Sequence, residues 1–145
     1  KGIINDSITF FSNYDSKKGN EIKNNNLVSV VFYWREIHRQ IRIEGTIKKT
    51  SKKISDDYFN SRTDGAKISA ISSPQSQIIE NREILEKRIL KIKTKHTEFR
   101  RPDFWGGYII KPSIWEFWQG RDNRSHDRFI FEKKEKKWEI FRLAP

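Results

Sequence analysis

The chain is 145 residues long, 34% hydrophobic and 13% aromatic, with a net charge of +11. That length suits one domain, residues 1–145, able to bury roughly 68–70% of its unfolded surface. Having no cysteine, it has no disulfide, thiolate nucleophile or cysteine-held metal, and no apolar run approaches the roughly 20 residues of a membrane span.

The histidines, His38, His96 and His126, lie far apart without metal-ligand spacing, so no metal is expected. There is no N-terminal signal pattern and no methionine, which leads us to expect a cytoplasmic chain lacking a natural N-terminal segment. The positive charge calls for anionic partners. The lysine clusters at 48–49, 52–53 and 133–137 fall in expected turns rather than along one helix face. They read as general anion attraction and argue against a nucleic-acid duplex.

In chain order, residues 3–12 alternate about an Asn5-Asp6 turn signal and predict a hairpin. Asp15 and Ser16 open a short helix, with Lys17, Lys18 and Gly19 in its first turn. Leu27 to Trp34 is β-branched and aromatic, the pattern of a buried strand. From Gln40 to Lys48 the alternation places Ile41, Ile43, Gly45 and Ile47 on one face and Gln40, Arg42, Glu44 and Thr46 on the other. Ser55 is placed to cap a short helix reaching Phe59. Asn81 is placed to cap the longest helix, Arg82 to Lys95, with Ile84, Leu85, Ile89 and Ile92 as its apolar stripe. Strand-like runs follow at Tyr108–Lys111, Ile114–Trp118, Arg128–Glu132 and Trp138–Leu143. Many short strands with few helices predict a mainly β, α+β fold, an antiparallel barrel with peripheral helices. No glycine fingerprint of a dinucleotide-binding domain is present.

The densest chemistry lies between Trp118 and Phe129, where Arg121, Arg124, Arg128 and His126 sit between aromatic strand-like segments. Guanidinium groups fork onto phosphate or carboxylate and stack on flat rings, and an imidazole suits proton handling near neutral pH. The segment reads as a site for a flat, anionic ligand. Lys17 and Lys18 at a helix start could cradle a phosphate or be a solvated pair. His126 could equally be a satisfied structural histidine, and Phe11 and Trp118 could be packing.

Several motifs, in order, carry a family resemblance: Phe11 to Gly19, Arg39 to Gly45, Tyr58 to Arg62, Ser73 to Ser76, Trp105 to Tyr108, Ile114 to Gly120, Arg124 to Arg128, and the terminal Arg142 to Pro145. Together they resemble the pyridoxamine 5'-phosphate oxidases, over the whole span from Lys1 to Pro145. The resemblance implies a split β-barrel binding FMN at a homodimer interface. It also implies oxidation of pyridoxine or pyridoxamine 5'-phosphate to pyridoxal 5'-phosphate, with O2 as acceptor and H2O2 as product. Carried over residue by residue, it assigns Phe11, Ser12, Lys17, Lys18, Gln40, Gln75 and Ser76 to FMN, with Trp118 and Arg128 reaching it from the neighbouring subunit. Lys1, Tyr58 and Arg62 go to the substrate phosphate, and Arg124, Ser125 and His126 to the substrate ring, with Arg124 and His126 catalytic.

Two departures stand out. Lys17 occupies a position where the family usually has arginine. Ala66 stands where it usually has a serine, removing a hydrogen bond worth about 0.5–1.5 kcal/mol. The rival readings are another split-barrel flavin oxidoreductase and a non-catalytic FMN- or pyridoxal-phosphate-binding protein.

Overall fold

The computed structural model describes residues 2–4, 7–95 and 97–145. The chain runs β1 (Gly2–Ile4), β2 (Ser7–Asn13), α1 (Lys17–Asn24), β3 (Leu27–Trp34), β4 (Arg39–Lys49), α2 (Lys52–Asn60), α3 (Asp64–Ser72), α4 (Arg82–Lys95), β5 (Trp105–Gln119), β6 (Asp127–Lys134) and β7 (Lys137–Leu143). The seven strands form one sheet in the order β1-β2-β5-β4-β3, with β6 also paired to β5 and β7 to β6. The β3–β4, β5–β6 and β6–β7 pairs are antiparallel. This is the mainly β, α+β class expected. Among the described residues, no helix is long and apolar enough to cross a membrane.

The chain divides into two compact units, one built chiefly from Thr9–Asn25 and Lys48–Ile109, the other chiefly from Asn26–Ile47 and Ile110–Pro145. In the first, Phe59, Ile68, Trp105 and Tyr108 are buried. Tyr108 meets Phe10 at 5.4 Å and Tyr14 edge-on at 5.3 Å between ring centroids, separations at which aromatic pairs attract. A Cβ at Gly107 would lie 2.5 Å from Thr50 Oγ1 and 2.8 Å from the Phe11 ring. Only glycine lets the strand approach so closely. In the second unit Ile43 and Ile47 are buried, the face that the alternation along β4 predicts.

Local signals set several ends as expected. Ser16 Oγ accepts the Gly19 amide at 3.2 Å and starts α1. Asn81 Oδ1 accepts the Ile84 amide at 3.2 Å and starts α4, a conventional cap that satisfies one of the free amides of a first turn.

Three expectations need correction. Leu27–Trp34 is a strand but not a buried one: it lies at the end of the sheet order, and Leu27 is 68% exposed, with Val31, Phe32, Tyr33 and Trp34 also open. Strand propensity reports a fit to a pleated surface, not which side is covered. Ser55 does not cap α2; Ser51 does, its Oγ accepting the Ile54 amide at 3.2 Å. Ser55 is instead buried within the helix, accepting the Gly107 amide at 3.1 Å and lying 2.9 Å from Thr50 Oγ1. Finally, the runs at 108–111 and 114–118 are one 15-residue strand, β5, that passes straight through Pro112. The helix α3 carries no sequence expectation, and its apolar pattern is weak. The expected Asn5-Asp6 turn lies outside the described residues.

Candidate functional site

In the first unit, β2 delivers Phe11 and Ser12, and α1 delivers Lys17 and Lys18. The loop after α3 brings Gln75 back onto β2. Gln75 Oε1 accepts the Asn13 amide at 3.2 Å and the Ser12 hydroxyl at 3.4 Å, and Lys18 Nζ donates to Ser12 Oγ at 3.4 Å. Ser12, Lys18 and Gln75, expected in one site, therefore meet. Lys17 lies on the helix surface, 81% exposed and 3.9 Å from Glu21. It can swing to an anion because that weak surface pair holds it little. Ser76 is exposed and left-handed, at φ 69°, next to Gln75 in a turn closed by the Gln77 amide on the Pro74 carbonyl.

Beside these residues lies a cavity of about 360 Å³, lined by Phe11, Tyr58, Ser61, Arg62, Thr63, Ala66 and Trp105. Phe11 stacks on Tyr58 at 3.7 Å, and Tyr58 and Trp105 are near-parallel at 6.2 Å. The Arg62 guanidinium lies over Trp105 at 4.7 Å. Its Nη1 is buried with no hydrogen-bond partner among the described residues. A cavity-lining guanidinium with one buried nitrogen unpaired can satisfy it on an anionic acceptor once the side chain turns toward the cavity. Tyr58 and Arg62, expected to share a phosphate, share this cavity. Ala66 lines it as well, so the departure from the family pattern falls where it matters. Lys1 lies outside the described residues.

Arg101, which sequence reasoning did not single out, holds this wall in place. Its side chain is 8% exposed, Nε donates to Asp56 Oδ1 at 2.6 Å, and Nη1 donates to the Trp105 carbonyl at 2.6 Å.

In the second unit, a cleft of about 530 Å³ is lined by Gln40, Trp118 and Arg121 together with Trp34, Ile41, Phe117 and Phe129, among others. Apolar and aromatic walls with a few polar groups are the usual make-up of a small-molecule site, and this volume falls in the range of about 300–1,000 Å³ such sites have. His126 packs on Trp118 at 4.8 Å between ring centroids. Its Nδ1 accepts the Arg121 amide at 3.1 Å, so the neutral ring carries its proton on Nε2.

Arg124 is exposed and left-handed at φ 60°, following Asn123 at φ 53°. Such backbone costs on the order of 1–3 kcal/mol for a residue like arginine and collects at functional sites. Ser125 closes this turn, its hydroxyl donating to the Asp122 carbonyl at 2.8 Å, so its one proton is committed locally while its oxygen can still accept. Arg121 and Arg142 both bind Asp127, at 2.9 and 2.7 Å. Their hydrogen bonds hold the Asp127 carboxyl below the usual carboxylate range.

Arg128 Nε donates to Glu116 Oε1 at 2.7 Å, and Arg42 Nη2 lies 2.7 Å from Glu116 Oε2. The second contact is an ion pair whose angle misses hydrogen-bond geometry. Glu116 raises the Arg128 pKa further above its ordinary value through that first hydrogen bond. Glu116 and Arg42 are absent from the sequence-derived site. The available signal was a single carboxylate inside the aromatic run 114–118, where a charge must find a partner. Among the described residues, no three histidine or carboxylate side chains gather as a metal site.

Residues 2–96 match the family model described as pyridoxamine 5'-phosphate oxidase, and residues 105–145 the one described as the pyridoxine 5'-phosphate oxidase C-terminal dimerisation region. A pyridoxine/pyridoxamine 5'-phosphate oxidase of Leptospira interrogans is 46% identical over all of this chain and 69% of its own length. A pyridoxine-5'-phosphate oxidase of Bos taurus is 42% identical over 92% of this chain and 52% of its own. Among solved structures, PhzG of Burkholderia lata, in complex with tetrahydrophenazine-1-carboxylic acid, aligns with a TM-score of 0.92 at 26% identity, covering all of this chain and 72% of that one. A Nostoc punctiforme protein described as pyridoxamine 5'-phosphate oxidase-related and FMN binding shares the fold, with a TM-score of 0.77 at 14% identity, over all of this chain and 77% of its own.

Proposed function

The chain belongs to the pyridoxamine 5'-phosphate oxidase family, and from that premise we propose that it is an FMN-dependent oxidase of phosphorylated B6 vitamers. It converts pyridoxine 5'-phosphate, or pyridoxamine 5'-phosphate with water entering and ammonia leaving, to pyridoxal 5'-phosphate. Bound FMN would supply the two-electron acceptor for oxidation at the substrate's 4' carbon and pass the electrons to O2, giving H2O2. The observation that carries the reading is the aromatic-walled cavity lined by Tyr58 and Arg62, whose buried Nη1 has no partner among the described residues.

The residues present fit both ligands. Lys18, Ser12 and Gln75 offer a cation, a hydroxyl and an amide at one place, with the exposed Lys17 on the same helix, a set suited to a phosphate. Phe11 and Ser76 flank that set. Gln40 presents an amide edge to the flat heterocycle, while Trp118 and Arg128 supply a ring and a fixed positive charge to the cofactor of the neighbouring subunit. Tyr58 and Arg62 hold the substrate phosphate, with Lys1 as a further cation. Arg124 faces the substrate ring and offers positive charge where negative charge develops. His126 donates from Nε2 to a ring hydroxyl, and Ser125 shapes the turn that presents both. Residues 1–145 act as one FMN-binding domain within a homodimer. The exposed apolar faces of β3 and β7, with Tyr33, Trp34, Ile140 and Phe141 open, support that assembly, since large exposed apolar patches mark interaction surfaces.

The test is O2-dependent formation of pyridoxal 5'-phosphate by the FMN-loaded protein, with H2O2 measured alongside. The expected result is turnover of both phosphorylated vitamers and far weaker turnover of their dephosphorylated forms. FMN binding with no turnover would favour a carrier. Turnover of a carboxylated polycycle alone would favour another split-barrel oxidase.

A further inference from the structure

Glu116 is 3% exposed, an expensive place for a carboxylate unless a specific arrangement needs it there. It sits on β5 between arginines from the strands on either side, Arg42 on β4 and Arg128 on β6. The register pairs Trp118 with Arg128 and Glu116 with Ile130. Arg128 is thus the diagonal cross-strand neighbour of Glu116, within reach on the same face. Trp118 lies two residues beyond Glu116 on β5, and Gln40 two residues before Arg42 on β4, so both share the faces of those residues. A buried carboxylate with no assigned role thus contacts Arg128 directly and shares strand faces with Trp118 and Gln40, all three assigned to FMN sites.

Arg128 can rotate about several bonds, and an unrestrained guanidinium loses rotamer freedom when it engages a ligand. Here Nε is tied to Glu116 at 2.7 Å and Nη1 to the Ala144 carbonyl at 3.1 Å. Those two bonds fix the plane of the guanidinium. Arg42 also lies 3.4 Å from Glu44, so the two arginines are balanced by two carboxylates, and what the cluster offers a ligand is a fixed guanidinium rather than excess charge.

We propose that Glu116 is a positioning residue, which aims Arg128 at FMN and sets its affinity without touching the cofactor. The proposal rests on the reading that Arg128 binds FMN, and the experiment separates the two. FMN is titrated into the full apo-protein, following quenching of flavin fluorescence, for the parent chain, Glu116→Gln, Arg128→Met and the double variant. Thermal unfolding of each apo-protein is recorded in parallel. If Glu116 works through Arg128, each single change weakens FMN binding by about tenfold, and the double variant binds no more than about twofold worse than Arg128→Met alone.

Unchanged FMN affinity in Arg128→Met would overturn the FMN role of Arg128. Weakening by Arg128→Met with a multiplicative loss in the double variant, or with no loss in Glu116→Gln, would overturn the positioning role alone. Should Glu116→Gln fail to fold, Glu116→Asp decides the matter. It keeps the charge but draws the carboxylate back by one methylene, so FMN affinity should fall several-fold while the apo unfolding midpoint stays near that of the parent. Parent-like FMN affinity in Glu116→Asp would overturn the proposal.

Discussion

Replacing Arg62 by Met tests whether the cavity in the first unit is a phosphate site or only part of the core. Two opposing terms act on the ligand-free protein. The guanidinium stacked on Trp105 at 4.7 Å contributes about 0.5–2 kcal/mol as a cation–π contact. The buried Nη1 without a partner costs about 1–3 kcal/mol in lost hydration. Met removes both terms and keeps an apolar stem over Trp105, as arginine stems do. Stability should thus fall by no more than about 1 kcal/mol, roughly 2–4 °C in the unfolding midpoint, and a rise is equally compatible with these terms.

Phosphate binding has no such compensation. Loss of a charge-assisted hydrogen bond of about 1.5–3 kcal/mol weakens it roughly 10- to 150-fold. The assay is steady-state oxidation of pyridoxine 5'-phosphate and of unphosphorylated pyridoxine, with thermal melts of both proteins. KM for the phosphate should rise by that factor, while the weak rate with pyridoxine stays the same. An unchanged KM together with a fall of roughly 8 °C or more would refute the reasoning and make Arg62 a structural residue.

Arg101→Ala should cost about 2–4 kcal/mol, because it strips a buried guanidinium from Asp56 and the Trp105 carbonyl. Chemical denaturation should show it, and a loss below about 1 kcal/mol would mean that those bonds hold little. Arg124→Ala should cut turnover far more than it weakens FMN binding, since an exposed residue on a left-handed turn contributes little to the fold; equal losses would argue against its catalytic role. Asp127, whose pKa is lowered by hydrogen bonds from Arg121 and then Arg142, contributes stability that is present above the ordinary aspartate pKa. That contribution is lost as the pH falls through the lower folded-state value. Stability measured from pH 6 down to about 2 should lose this component in Asp127→Asn; identical acid profiles for the two proteins would show that the pairing contributes nothing.

Much of this protein was legible from local chemistry. Helix starts at Ser16 and Asn81 follow from a side-chain oxygen reaching an amide three residues on, a contact contained within one turn. The two-residue alternation along β4 identified Ile43 and Ile47 as buried, because successive side chains on a strand point to opposite faces. The motif order implied the family, and the family models bear it out. Single-residue signals were weaker. Ser55 has the chemistry of a cap and serves instead as a buried anchor for Gly107, a use decided by a strand 52 residues away in sequence.

What the sequence determined alone was therefore whatever depends on neighbours within a few residues: element types, several of their ends, the apolar stripe of α4, and the inventory of cations and rings. Tertiary structure alone decided which of these meet. It brought Gln75 to Ser12 across 63 residues, left β3 open at the end of the sheet order, and enclosed Glu116 between Arg42 and Arg128. The physical reason is range. Backbone geometry and capping act within a turn or a pleat, whereas burial and ion pairing depend on which strands become neighbours, and local pattern does not encode that choice.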